Sequence, residues 1–192
     1  MLKFIFLFLG TYLIAAIPVG LLYARLKNVD IRAIGSGNYG ATNIYRQFGM
    51  RAAAPVFLAD FLKGWLPVVV AQWLTPAPLI HVGVGAVAIA GHSLPIYTGF
   101  KGGKGAATGL GVLLGLAPLI FVIVAVMAAV MIKVTRIVSL TTITACIVTP
   151  VLFFLFDTPR AYTVFVTLMA LFVIWRHREN ITRLRNGTEN KV

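Results

Sequence analysis

The 192-residue chain predicts an all-α integral membrane protein of about seven transmembrane helices, one of them short, with its N-terminus outside and its C-terminus cytoplasmic. Three observations carry this. Mean hydropathy is +0.92 and 59% of residues are hydrophobic, so lipid is the natural solvent. Apolar runs long enough to form helices of membrane length alternate with short polar segments. The 17 Lys and Arg residues, against 5 acidic ones, concentrate in those segments. A formal net charge of +12 gathered on one soluble module would suggest nucleic acid. Here the charge is dispersed between spans, which fits positive-inside topology and anionic ligands and leaves no nucleic-acid partner expected.

Residues 2 to 22 form the first span. Ala15-Ala16 resembles a signal-peptide cleavage region, but the run is long enough to cross and leads into Arg25, Lys27 and Arg32, so it is read as retained. Residues 52 to 74 form the second span, Thr75-Pro76-Ala77-Pro78 an uncharged outer turn, and 79 to 97 the third. The run 106 to 132 would be roughly 40 Å long as one helix, too long for one untilted span and too short for two. Charge decides the reading. A break near Gly115-Leu116-Ala117-Pro118 returns Lys133, Arg136 and the tail to the cytoplasm after spans at 138 to 156 and 160 to 175. Of the 17 basic residues, 14 then face the cytoplasm, with Lys3 and Arg160 outward and Lys63 within a span. The whole chain, 1–192, is expected to be a single membrane-embedded domain with cytoplasmic polar segments at about 25–51, 98–105, 133–137 and 176–192.

The chemistry concentrates in those segments. Gly91 to Gly109, GHSLPIYTGFKGGKGAATG, places one His, two Lys and six Gly between apolar spans. Lys101 and Lys104 bracket Gly102 and Gly103, and Gly105 follows, so unencumbered backbone N–H groups and two ammonium groups can turn toward one anion beside a helix start at Ala106. A phosphate cradle is the functional reading; a basic loop serving topology alone is the bland one. It is not a Walker A loop, because Thr98 stands where the first glycine is required and Gly105 follows Lys104 where Ser or Thr is needed.

A second glycine-rich segment, Gly35-Ser36-Gly37-Asn38-Tyr39-Gly40-Ala41-Thr42-Asn43, precedes Arg46. It matches G-x-G-x-x-G, but a membrane helix rather than a strand comes before it, so no dinucleotide is implied. Ser36, Asn38, Thr42 and Asn43 supply neutral donors and Arg46 a planar cationic fork, a set that suits a phosphate ester or, more plainly, a capped turn. His92 ends a span at the membrane boundary and can act as a general base or bind phosphate; His81, near the outer side, reads as structural. Asp60 and Lys63 share one face of the second span as a neutralising pair. Ser139, Thr141 and Thr142 open the next-to-last span, where hydroxyls line a pocket or bond back to helix carbonyls. Cys146, the single cysteine, lies in an apolar run and reads as a packing residue, which excludes a disulfide framework and a Cys-based metal site within one chain.

Three polar segments, GSGNYGATN with Arg46, GHSLPIYTGFKGGKGAATG, and RHRENITRLRNGTE, together resemble the bacterial acyl-phosphate:glycerol-3-phosphate acyltransferase family. Asp60 to Gly64, DFLKG, and Arg136 to Ser139, RIVS, extend the resemblance over nearly the whole chain. It implies acyl transfer from acyl-phosphate to the 1-hydroxyl of glycerol-3-phosphate, giving lysophosphatidic acid and inorganic phosphate at the bacterial cytoplasmic (inner) membrane. No cofactor and no metal are implied. Membrane lipid and a soluble acyl-phosphate-producing enzyme are the expected partners, and a monomer is the expected state.

The resemblance assigns catalytic weight to Ser36, Arg46, Lys104 and Asn180 and a lesser, substrate-binding part to His177, Ser139 and Thr142; the residues themselves add His92 as a catalytic candidate and Gly35, Gly37, Asn38, Thr42, Asn43, Lys101, Gly102, Gly103 and Gly105 as substrate- or phosphate-binding ones. The His-x-x-x-x-Asp pair of another acyltransferase class is absent, since Ala86, Tyr97 and Thr182 follow His81, His92 and His177 at that spacing. Acyl-phosphate is already a mixed anhydride, so orientation and charge stabilisation by Lys104 and Arg46 supply much of the rate without a covalent enzyme intermediate. The base is either His92 or a phosphate oxygen of a bound substrate. The alternative from a different class is a membrane carrier that binds the same phosphate ester without chemistry.

Overall fold

The computed structural model describes all residues, Met1–Val192, and contains helices and no strand. The elements are α1 (Leu2–Ala15), α2 (Val19–Leu26), α3 (Ala41–Phe48), α4 (Met50–Leu74), α5 (Pro78–Ser93), a 3-10 turn (Ile96–Thr98), α6 (Ala106–Leu116), α7 (Pro118–Thr135), α8 (Val138–Leu155), α9 (Arg160–Arg176) and α10 (Arg178–Arg185). Five stretches are long and apolar enough to cross a membrane: Leu2–Leu26, Met50–Leu74, Pro78–Thr98, Pro118–Thr135 and Val138–Leu155. The short helix expected after the glycine-lysine segment is α6, whose 11 residues rise only about 17 Å. It ends at Leu116, within the Gly115–Pro118 stretch where the sequence suggested a break, because Pro118 has no N–H to continue the ladder and instead takes the first turn of α7.

The structure adds one detail to the first span. The first span is broken at Ala16–Pro18 rather than continuous, because Pro18 cannot donate to the helix and disfavours helical backbone at Ile17. At the break the Ile17 carbonyl accepts the Val19 N–H at 3.0 Å, and the Lys63 ammonium also donates to it. The polar segments 25–51 and 176–192 each contain a short helix, α3 and α10.

The chain forms two compact units, Met1–Gly115 and Leu116–Val192, each built on its own contacts. In the first, α5 packs against α1 and α4, and α3 folds back on α4. Glycines set the closest approaches. Gly64 on α4 lies against the Thr108 carbonyl of α6, and Gly111 on α6 lies against the Phe61 carbonyl of α4, so a Cβ at either would collide with backbone. The Thr108 hydroxyl, fully buried, donates to the Asp60 carbonyl at 2.9 Å and ties the same two helices. A core of Leu21, Ala24, Ile31, Tyr39, Ile44, Ala52, Ala53 and Val56 holds the segment 28–40 onto α2, α3 and α4. In the second unit, α8 packs against α7 and α9.

Candidate active site

The polar residues of the first unit converge on the end of α5. Asp60 and Lys63 face inward from α4, and His92 faces them from α5; all are buried, at 3%, 7% and 4% exposure. Lys63 Nζ donates to Asp60 Oδ1 at 2.7 Å, and His92 Nδ1 lies 3.5 Å from the same oxygen. The sequence spacing made the Asp60–Lys63 pair visible. It could not reveal His92 as the third member, because that contact depends on how α4 and α5 pack.

The glycine-lysine segment turns over this cluster. The Gly103 N–H donates to the His92 carbonyl at 3.1 Å. A Cβ at Gly103 would strike His92 Nε2, and one at Gly102 would meet the His92 and Ser93 carbonyls and Pro95. Gly105 adopts φ +82°, a left-handed conformation that side chains resist, and its carbonyl accepts the Gly109 N–H in the first turn of α6. Lys104 is half-buried and Lys101 exposed. The residues expected to form a phosphate cradle thus make a tight turn laid directly on an imidazole.

The other glycine segment is organised by Asn43. Its Oδ1 accepts the Ser36 N–H at 3.2 Å, and its amide donates to the Ile31 and Ile34 carbonyls at 3.4 and 3.1 Å. Gly35, at φ +62°, passes so close to Asn43 Oδ1 that a Cβ would collide with it. Asn38 Oδ1 caps the Gly40 N–H at 2.8 Å. Asn43 and Asn38 therefore spend these groups on shaping the loop, while Ser36 and Gly37 are held at its surface and Thr42 and Arg46 stand one turn apart on α3. The two glycine segments meet at Tyr39. Its phenol, 4% exposed, lies near the Thr98 hydroxyl and the Gly103 N–H without hydrogen-bond geometry to any group, and burial raises its pKa. Ser93 Oγ, also buried, has no partner either. Sequence reading missed both, since neither residue type announces itself inside a hydrophobic surround.

The second unit holds a cluster of its own, centred on Glu189. One carboxylate oxygen accepts from Ser139 Oγ at 2.9 Å and Asn180 Nδ2 at 2.6 Å, and the other accepts from Arg183 Nε at 2.7 Å. Burial by itself pushes the Glu189 pKa up, but the hydrogen bonds from Asn180, Arg183 and Ser139 outweigh it and hold the carboxyl below the usual range. The Val192 N–H donates to the Arg136 carbonyl at 2.8 Å, fastening the tail beside this cluster. His177 Nδ1 lies 2.8 Å from the Val173 carbonyl, and Thr142 donates back to the Val138 carbonyl at 3.0 Å. Ser139 and Asn180 were thus expected for their own sake, while the carboxylate that joins them was not. His81 Nε2 pairs with the Thr75 carbonyl at 2.8 Å, in keeping with a structural histidine.

Helices of membrane length, buried charge and a glycine turn laid on a histidine define a multi-pass membrane protein with a buried polar cluster at the end of α5. A family model described as "Glycerol-3-phosphate acyltransferase" matches residues 5–187. Curated relatives of that name are similar throughout: one from Geobacter metallireducens is 47% identical, covering 97% of this chain and 96% of its own length, and one from Geotalea daltonii is 43% identical, with the same coverages. Two crystal structures of PlsY (YgiH), an integral membrane glycerol 3-phosphate acyltransferase, are 36% identical. Its glycerol 3-phosphate form superposes with a TM-score of 0.95, covering 99% of this chain and 96% of its own, and its lysophosphatidic acid form with 0.91, covering 98% and 95%. The chain belongs to the glycerol-3-phosphate acyltransferase family and is an enzyme of that type.

Proposed function

We propose that this enzyme takes its acyl group from acyl-phosphate and delivers it to the 1-hydroxyl of glycerol-3-phosphate, releasing inorganic phosphate. Acyl transfer to glycerol-3-phosphate giving lysophosphatidic acid, a reaction of phospholipid biosynthesis, follows from the family. The observation that carries the rest is the turn Gly102–Gly103 on His92, flanked by Lys101 and Lys104. Its backbone can approach a phosphate closely, and the ammonium of Lys104 offsets charge as the phosphate departs. Arg46 supplies a second cation, Ser36 a hydroxyl donor, and Gly35, Gly37 and Thr42 shape and line the first loop. Lys101, at the exposed rim, draws the anionic substrates in. Gly105, with its left-handed backbone, turns the chain from the cradle into α6. In the second unit, Asn180 has the catalytic weight and His177, Ser139 and Thr142 the substrate-binding part that the family motif implies.

The whole chain acts as one membrane-embedded acyltransferase domain, monomeric, in the bacterial inner membrane. Seven spans, with α6 the short one and α9 the last, put the N-terminus outside and the site at the cytoplasmic face, within reach of a soluble enzyme that supplies acyl-phosphate. The test is donor preference. Purified protein given glycerol-3-phosphate should form lysophosphatidic acid with acyl-phosphate and not with acyl-CoA. Product from acyl-CoA would overturn the donor assignment, and exchange of phosphate ester across vesicles without product would favour a carrier.

A further inference from the structure

One buried hydroxyl between the two glycine segments has no part in the reading above. Tyr39 is 4% exposed, and its phenol has no hydrogen-bond partner although the Thr98 hydroxyl and the Gly103 N–H lie near it. Burial raises its pKa, so the group stays a protonated donor. A donor buried without an acceptor destabilises the fold that holds it, and closing one hydrogen bond would remove that cost. The ring cannot move far to find a partner: it belongs to the core with Leu21, Ile31, Ile44 and Val56, and the Arg32 guanidinium stands 6.0 Å from its centroid. The partner must therefore come to the phenol. Thr98 is suited to do so, because its Oγ1 donates to the Lys101 carbonyl at 3.0 Å and keeps its lone pairs for an incoming O–H. A bond from Tyr39 to Thr98 would make a continuous chain from the first glycine segment to the Lys101 backbone, each bond polarising the next.

We propose that Tyr39 is a positioning residue whose phenol donates to Thr98 when glycerol-3-phosphate lies between the two glycine segments, holding the Lys101–Lys104 turn closed on the phosphate. The proposal rests on the acyltransferase reading and deepens it. Ser36 and Arg46 on one side and Lys101 and Lys104 on the other are drawn to the same anion, so its arrival pulls the second segment toward the anchored first one. The hydrogen bond exists in the closed arrangement and not in the open one, which gives the substrate a difference in free energy with which to shift the turn. Tyr39 takes no part in the covalent steps.

Tyr39→Phe keeps the ring and removes only the hydroxyl. KM for glycerol-3-phosphate should rise about threefold to tenfold while kcat stays within about twofold, and Tm of the free enzyme should hold or rise, because an unsatisfied buried donor has gone. A tyrosine with a merely structural role would lower Tm instead. In a Thr98→Val background, where the acceptor is absent, Tyr39→Phe should raise KM no further. The phenol also reads closure directly. With tyrosine labelled by 13C at Cζ, the Tyr39 signal is the one of six lost in Tyr39→Phe. It should shift when glycerol-3-phosphate is added to the unmodified protein and stay still in Thr98→Val. A signal that does not move in the unmodified protein or moves equally in Thr98→Val, an unchanged KM in Tyr39→Phe, or a fall in its Tm overturns the proposal. If Thr98→Val loses its fold, the unmodified protein and Tyr39→Phe still decide. An unmodified enzyme that makes no lysophosphatidic acid would instead overturn the functional reading, while the Tyr39 signal would still report how the turn answers glycerol-3-phosphate.

Discussion

A methyl group added to Gly103 has one place to go, and His92 Nε2 occupies it. Gly103→Ala should therefore push the turn and ring apart, raising KM for glycerol-3-phosphate or lowering kcat by at least about tenfold with little change in melting temperature, as steady-state kinetics beside thermal unfolding will read. Glu189 makes a second prediction at this scale. Its folded pKa is lowered, so its contribution is fully present above the ordinary glutamate value of about 4.3 and is lost as pH falls through the folded value. Allowing for solvent screening, Glu189→Gln should cost roughly 1 kcal/mol near neutrality, about 2–4 °C in Tm. The variant's Tm should then fall less steeply than the parent's on acidification. Equal slopes would remove the charge from the explanation. Only half of these contacts was legible beforehand: the i, i+3 spacing of Asp60 and Lys63 announces a pair, but nothing local announces that His92, 29 positions beyond Lys63, approaches the same oxygen.

Among the elements, α6 carries the argument. Its start at Ala106 and its end before Pro118 were readable, because a glycine-rich turn and a proline bound an apolar run too short to cross. Its partner was not readable, since Gly64 and Gly111 matter only because α4 and α6 bring backbones into contact there. Gly111→Leu should force those helices apart, costing about 1–3 kcal/mol or preventing folding, whereas Gly109→Ala, which meets no atom within 4 Å, should be silent; thermal unfolding in detergent compares the two. The break at Pro18 was hidden for the opposite reason. Hydropathy counts apolar residues and is blind to one missing N–H, and Lys63 reaches the Ile17 carbonyl at the break that results. The helix α3 escaped notice because it is only eight residues long, although Ala41, Ile44, Tyr45 and Phe48 fall at helical spacing.

At the scale of the molecule, hydropathy and the distribution of basic residues were enough to read an all-helical membrane protein, because lipid leaves the backbone few alternatives to helices. The sidedness is a separate expectation. In a Cys146→Ser background, cysteines placed at Lys133 and Arg178 should react with an impermeant thiol reagent from the cytoplasmic side, and one at Thr158 from the outer side; the reverse pattern would invert the topology. The central claim is chemical, and coupling between products tests it most directly. With acyl-phosphate and glycerol-3-phosphate together, the purified enzyme should release one phosphate for each lysophosphatidic acid formed, release almost none without glycerol-3-phosphate, and lose at least about a hundredfold in rate as Lys104→Ala. Phosphate release indifferent to glycerol-3-phosphate, or a Lys104→Ala enzyme as fast as its parent, would contradict acyl transfer at the glycine-lysine turn.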